Sequence, residues 1–443
     1  MPTAYTILFL LLILVAAATW IIPAGSYDYV DGVPVAGTYH TVEQNPQGVG
    51  DVLKAAFSGF YDAVDVCIFI LMVGGFLGVV MKTGAVDAGV GNVIRLLGGR
   101  EKWLIPILML LFGLGGTTYG MWEETMAFYP LLIPVFLAAG YDAVVGISVI
   151  LLGAGAGVIA STVNPFATGI AAGFAGVSLG EGIVLRLLEW VAFEAAAIWF
   201  VMAYAAKVKK NPSKSVVGVG AGKIQVSMDQ QVPFTAKRKV IMALFTLTFL
   251  IMVYAVVPFD EMGLSLPALG WWFPELSALF LVAGVVIGLI DRMSEEELVE
   301  TYVAGCADLL GVAFIIGISR GITVLMNDGA ITDTVLHWGE QALSGAGAIS
   351  FTLLVFALYL PLTILIPSSS GLATLSIPIV APLGKFAGVG GDLVVTAFQS
   401  ASGLVNIITP TAAVVMGALA LGHVPYDRWV KYVWKLILWF LLL

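Results

Sequence analysis

Charge is what this sequence has least of. Lys, Arg, Asp and Glu together make up 11% of the 443 residues, against about 25% in an ordinary soluble domain. Hydrophobic residues make up 60%, and the mean hydropathy is +1.00. So little charge cannot cover the several soluble domains that the length alone would suggest, and so much hydrophobicity excludes intrinsic disorder. Cysteine is nearly lacking: Cys67 and Cys306 stand apart beside apolar runs, with no CxxC pair and no disulfide framework. They read as small packing residues. The three histidines, His40, His337 and His423, share no ligand spacing. No Walker loop, nucleophile elbow or HExxH motif is present, which argues against an enzyme. The 20 basic residues are outnumbered by 29 acidic ones and form no basic face for nucleic acid. What these absences leave is an all-α polytopic membrane protein with no cofactor.

What is there is a series of apolar runs long enough to cross a bilayer, about 17–25 residues each. Full crossings are expected near 5–23, 62–82, 143–177, 182–206, 237–257, 276–291, 309–327, 391–422 and 427–443. The run from Tyr5 lacks a basic n-region and a cleavage site, so it reads as a first crossing rather than a signal peptide. The last run stops abruptly at Leu443, the pattern of a truncated chain. Crossings 143–177 and 391–422 are too long for one straight span, and each holds a Pro-bearing interruption. Regions 102–139 and 347–386 are broken at their middles by polar and small residues, and read as re-entrant hairpins. Basic residues in short loops set the orientation. Segment 207–239 carries eight Lys and Arg residues and is the strongest cytoplasmic signal. Counting from it puts the N-terminus in the cytoplasm; the membrane expected is the plasma (inner) membrane.

The two halves resemble each other. Gly84 in Met81-Lys82-Thr83-Gly84 and Gly329 in Met326-Asn327-Asp328-Gly329 stand 245 residues apart, as do Pro165 and Pro410. Pro130 and Pro134 match Pro378 and Pro382 at an offset of 248. The second crossing pairs with the seventh, so the repeats are expected to be inverted, with 86–97 and 332–344 lying along the membrane surface. The expected division is a first repeat over 1–208, a cytoplasmic linker over 209–236 and a second repeat over 237–443. Inverted repeats with broken helices are the architecture of secondary transporters.

At this point the residues carry a resemblance. The segment Thr19-Trp20-Ile21-Ile22-Pro23-Ala24-Gly25, the run Gly120-Met121-Trp122-Glu123-Glu124 and Asn164-Pro165-Phe166 resemble the YfcC-like branch of the C4-dicarboxylate anaerobic carrier-like family, within the ion-transporter superfamily of elevator carriers. The resemblance implies a homodimer. Each protomer would have a scaffold domain and a moving transport domain built from two hairpins and two broken helices. Members of the branch are labelled either dicarboxylate carriers or basic amino-acid antiporters, so the resemblance leaves the substrate open.

Irregular backbone at membrane depth is tolerated only where it is buried or lines a polar cavity, so the four interruptions are the place to seek a site. The hairpin tips give Trp122, Glu123 and Glu124, and Ser368, Ser369 and Ser370; the breaks give Asn164, Thr409 and Thr411 as further substrate-binding candidates. Ser161, Thr162, Asn164, Asn406 and Thr409 are the candidate ion ligands, with freed carbonyls coordinating Na⁺. Two adjacent acids near the bilayer centre need a cation, a proton or a water-filled cavity, and Trp122 adds a cation–π face. Arg320, the only base deep inside an expected span, either binds a substrate carboxylate or forms a structural pair with Glu194 or Glu189; the pair with Glu194, away from the substrate, is the favoured expectation. The expectation is an ion-coupled (Na⁺ or H⁺) or exchange carrier of a small molecule, leaning to basic amino acids such as arginine or ornithine. The alternatives are a C4-dicarboxylate carrier and a Na⁺/H⁺ antiporter. The first of these is disfavoured because the expected transport core holds no Arg or Lys.

Overall fold

The computed structural model describes residues 4–86, 88–89, 100–178, 180–218, 233–256 and 266–443. The chain starts with α1 (Ala4–Ala18). Two short antiparallel β-pairs follow, Gly25–Ser26 with His40–Thr41 and Tyr29–Val30 with Val33–Pro34. Next come α2 (Val49–Asp62), α3 (Val64–Lys82), α4 (Leu104–Tyr119), a 3₁₀ turn over Glu123–Phe128 and α5 (Tyr129–Ala138). Then α6 (Ala143–Ala160), a π turn over Pro165–Gly169, α7 (Ile170–Ala175) and α8 (Ile183–Lys210) complete the first half. The second half runs α9 (Ala236–Val256), α10 (Phe273–Asp291), α11 (Glu295–Asp328), α12 (Thr332–Leu343), α13 (Ala348–Leu365), α14 (Ser369–Phe386), α15 (Gly391–Asn406), α16 (Ala413–Leu421) and α17 (Tyr426–Leu442).

The expected hairpins are α4–α5 and α13–α14. The expected broken crossings are α6–α7 and α15–α16. Segment 294–308, which precedes the expected crossing 309–327, belongs to the same helix, because α11 runs unbroken for 34 residues, roughly 51 Å at 1.5 Å per residue. Ser294 caps it by accepting from the Glu297 N–H at 3.1 Å, and no proline interrupts it. The stretch 24–61, between the first two expected crossings, holds the β-pairs and α2, which buries Val52, Ala55, Ala56 and Gly59. The start of the linker is pinned. Asp142 accepts from Tyr204 Oη and Ser215 Oγ, both at 2.6 Å, and the Val216 N–H donates to Tyr204 Oη at 3.1 Å. Linker residues 219–232 and most of the expected surface segment 86–97 lie outside the described residues.

Small residues let helices approach closely, as membrane packing requires. Gly74 and Gly78 of α3 lie against the backbone of Gly305 in α11, and Gly116 of α4 lies against the Ala154 carbonyl of α6. An aromatic cluster, Phe69, Phe76, Phe245, Phe249 and Phe280, welds α3, α9 and α10. Two groups result. The α1, α2, α3, α9, α10 and α11 helices pack mainly on one another. So do α4, α6 and α8, with α6 wholly buried at the centre, while α15 packs on α6 on one side and on the α13–α14 hairpin on the other. Among the described residues, five helices are long and apolar enough to cross a membrane: α3, α6, α10, α11 and α13.

Candidate functional site

The first hairpin turns at Gly120, whose φ of +76° is left-handed. A side chain there would run into the Asn164 amide, so the tip of the hairpin sits directly on the first break. The tip then tightens, with Glu124 Oε2 accepting from the Trp122 N–H at 3.1 Å. The break is sewn to the same hairpin by Thr117. Its Oγ1 accepts from the Thr162 N–H at 3.1 Å, and its carbonyl accepts from Thr162 Oγ1 at 3.0 Å and the Val163 N–H at 3.2 Å. Side-chain and backbone partners thus take up polar groups that the missing helical turn would leave bare.

At the second hairpin Ser368 caps α14, its Oγ accepting from the Gly371 N–H at 3.2 Å. At the second break, Thr409 Oγ1 and Thr411 Oγ1 are 2.8 Å apart. Three carbonyls of this break are already occupied. Trp429 Nε1 donates to Ile407 O at 3.1 Å, Tyr426 Oη to Ile408 O at 2.8 Å and Ser319 Oγ to Thr411 O at 2.5 Å.

All four interruptions meet at one cavity of about 150 Å³. At ~30 Å³ per water that is room for about five waters, or one small organic molecule. Its lining includes Gly120, Trp122, Glu123 and Glu124 from the first tip, Asn164 from the first break, Ser368, Ser369 and Ser370 from the second tip, and Asn406 and Thr411 from the second break. Thr409 is buried behind Thr411. Ser161 and Thr162 are buried away from the cavity, where Ser161 Oγ accepts from Thr168 Oγ1 at 2.6 Å.

Of the opposite wall only Arg320 was weighed from the sequence, as the less favoured reading. That wall consists of Val66, Trp272, Phe273, Ile316, Ser319 and Arg320. The expected Arg320–Glu194 pair does not form. α8 packs against α4 and α6, whereas α11 packs against α2 and α3, so the two side chains belong to different helix groups. Arg320 Nε lies 3.8 Å from Asp62 Oδ2, and α2 comes this close because Gly59 meets the backbone of Gly317 and Gly321. Glu194 instead lies against Gly113 of α4. The objection that no Arg or Lys reaches the site therefore falls. A Ser beside an arginine near the middle of an apolar run, Ser319-Arg320, was the available signal.

Comparison with known proteins gives the family. The family model for the C4-dicarboxylate anaerobic carrier, DcuC, matches residues 1–443. The chain belongs to the DcuC family. It is a multi-pass membrane carrier by family. It is 35% identical to an uncharacterized protein of Haemophilus influenzae, over 98% of this chain and 94% of that one. It is 31% identical to the Escherichia coli K12 protein named "Putative basic amino acid antiporter YfcC", over 97% of this chain and 92% of that one. Among solved structures, the YdaH transporter of Alcanivorax borkumensis is similar over 100% of this chain and 96% of its own, with 14% identity and a TM-score of 0.46.

Proposed function

We propose that this DcuC-family chain moves basic amino acids, of the arginine or ornithine kind, by an ion-coupled or exchange elevator mechanism, and that the cavity of the four interruptions is its substrate site. The observation that carries the substrate reading is the charge set of that cavity: two carboxylates, Glu123 and Glu124, facing one guanidinium, Arg320. A basic amino acid is the complement, with one carboxylate and two cations. Its carboxylate would lie on Arg320, whose planar fork suits it. Its α-ammonium and side-chain cation would divide between the two glutamates, with Trp122 offering a π face. Ser368, Ser369, Ser370, Asn164 and Thr411 would supply neutral hydrogen bonds. Asn406 and Thr409 would remain ligands of a coupling Na⁺, whereas the hydroxyls of Ser161 and Thr162 are taken by Thr168 and Thr117. The name of the E. coli relative points the same way.

A second cavity, about 940 Å³, supports the elevator reading. It lies between α3 and α11 on one side and the α16–α17 turn on the other, and its lining includes Gly305, Asp308 and His423. Asp308 is 12 residues before Arg320 on α11, roughly 18 Å along the axis, in a bilayer whose core is about 30 Å thick. The first cavity would be the occupied station and the second the space through which the substrate leaves. The matching order of crossing, hairpin and broken helix in each half supports two inverted repeats, over 1–208 and 237–443. In this reading α3 and α11 belong to the scaffold, which as a homodimer would anchor the moving hairpins in the inner membrane, N-terminus in the cytoplasm.

Arg320 on the cavity wall also favours a second reading, a C4-dicarboxylate carrier, with Arg320 on one carboxylate and hydroxyls or Na⁺ on the other. Counterflow in proteoliposomes separates the two, using labelled arginine and labelled succinate with and without Na⁺. Arginine entry without succinate entry is expected. Succinate entry without arginine entry would overturn the assignment.

A further inference from the structure

On the far side of α4 from the cavity, α8 carries a buried acid that the proposed substrate site does not use. Glu194 is 2% exposed, and neither of its carboxyl oxygens has a hydrogen-bond partner among the described residues. Four residues earlier, on the same helix face, Trp190 Nε1 is buried and likewise without a partner. Across from them the backbone of α4 is bare: a side chain at Gly113 would run into the Glu194 carboxyl. The packing therefore leaves room for this group without bonding to it.

The surroundings supply no counter-ion. Residues 104–118 of α4 and 143–160 of α6 include no ionisable side chain. α17 meets α8 through Tyr432, Trp439 and Phe440, while its Lys431 and Lys435 are exposed. On α8 itself, Glu189 accepts from Ser400 Oγ at 3.4 Å, Arg186 donates to the Glu181 carbonyl at 2.9 Å, and Tyr204 is engaged by Asp142. A buried carboxylate with no cation or donor beside it is strongly disfavoured at membrane depth. Glu194 also holds nothing in place, so its presence is not explained by a structural bond.

We propose that Glu194 is a proton-binding site that couples transport to a proton gradient. The carboxylate takes up one H⁺ from water when the α4–α8 contact is open to one face. It is occluded as the acid in the conformation described here, and it returns the same H⁺ to water at the other face. The mechanical link is α4, which bears Gly113 at its middle and leads into the tip with Glu123 and Glu124, so a movement of the first hairpin shifts both. This assignment rests on the carrier reading above and not on which substrate is carried.

The test reconstitutes wild-type protein and Glu194→Gln, an isosteric change, in liposomes. Counterflow needs only binding and movement; accumulation against a gradient needs coupling. Glu194→Gln is expected to keep counterflow of labelled arginine or succinate and to lose accumulation driven by an imposed pH difference. Accumulation equal to wild type would overturn the proposal, as would joint loss of counterflow and accumulation, or a wild-type protein indifferent to the pH difference. A second measurement stands apart from transport: infrared spectra of the purified proteins across a pH titration. A carboxylic C=O band present in wild type and missing from Glu194→Gln is expected, and identical spectra would overturn the proposal. Absence of counterflow for both labels would sink the substrate reading instead, and the infrared comparison would still decide Glu194.

Discussion

If Arg320 holds the substrate carboxylate, its removal must weaken binding far more than removal of its ion-pair partner. A hydrogen bond to a charged group is worth about 1.5–3 kcal/mol. At ~1.4 kcal/mol per decade, Arg320→Gln should weaken arginine binding by about 10- to 150-fold. Asp62 sets the control. Its side chain is 53% exposed and sits 3.8 Å from the guanidinium, and such pairs contribute about 0–1 kcal/mol. Asp62→Asn should therefore cost no more than about fivefold. Arg320→Lys keeps the charge but loses the planar fork, and should fall between. Equilibrium binding of labelled arginine to the purified protein reads all three. Argininamide, which lacks the carboxylate, sharpens the test, because it should bind wild type and Arg320→Gln alike. Arginine binding by Arg320→Gln within about fivefold of wild type would refute the reasoning. So would equal losses in Arg320→Gln and Asp62→Asn, which would make the arginine a structural residue acting through α2.

Glu123→Gln and Glu124→Gln should each weaken arginine binding on the same scale, about 10- to 150-fold; the Gln oxygen can still accept from the Trp122 N–H, so melting temperatures should hold. Unchanged affinity in both would remove the acidic tip from the site. Gly120→Ala puts a side chain at φ +76° and into the Asn164 amide, so it should lower thermal stability by at least ~1–2 kcal/mol; a melting curve superimposed on wild type would show that the tip does not dock on the break as described. Outside the membrane, burial and then the hydrogen bond to Glu340 push the Tyr27 phenol above its ordinary range, and burial and then Asp333 do the same for Tyr29. A raised folded-state value stabilises below the unfolded one and fades above it, so the stability these two phenols contribute should be full below pH ~10 and be lost as pH rises further. The Tyr27→Phe, Tyr29→Phe double variant should show a flatter melting temperature across that range, and an unchanged alkaline slope would count against it.

Much of the site was legible because breaks in apolar runs are conspicuous. Pro165, Pro367 and Pro410, with Ser, Thr and Asn beside them, stand out against Leu and Val, and all four interruptions do meet at one cavity. What was illegible depends on azimuth and long-range packing. Sequence gives the depth of Arg320 but not the direction it faces, and its neighbour Asp62 lies at the end of a helix that was not foreseen. α2 escaped because its buried face is Val52, Ala55, Ala56 and Gly59, small residues that make a weak apolar stripe. In α11 the polar run Glu295 to Asp308 marks where the chain leaves the apolar layer, and that was mistaken for the end of a helix. Ser161 and Thr162 were selected by composition, yet their hydroxyls are committed to Thr168 and Thr117.

The placement of α4 gives the proposed mechanism its physical economy. Thr117, near its end, holds the first break, while Gly113 and Gly116 bring its backbone against α6, where Gly157 meets the Gly113 carbonyl and Ala154 meets Gly116. α6 is buried along its whole length, so α4, α6 and the break cannot shift relative to one another without opening a packed interior. In the proposed mechanism the acidic tip would therefore be displaced with this whole block past α3 and α11, which carry residues of the other wall, Arg320 among them. In the proposed cycle the two glutamates would separate from Arg320 as the block moves. Substrate that bridges them holds the block at its station, and its release frees it. Glu194 rides against the rear of the same block. Its protonation is thereby tied to the position of the tip by rigid packing, without a hydrogen-bonded wire between the two sites.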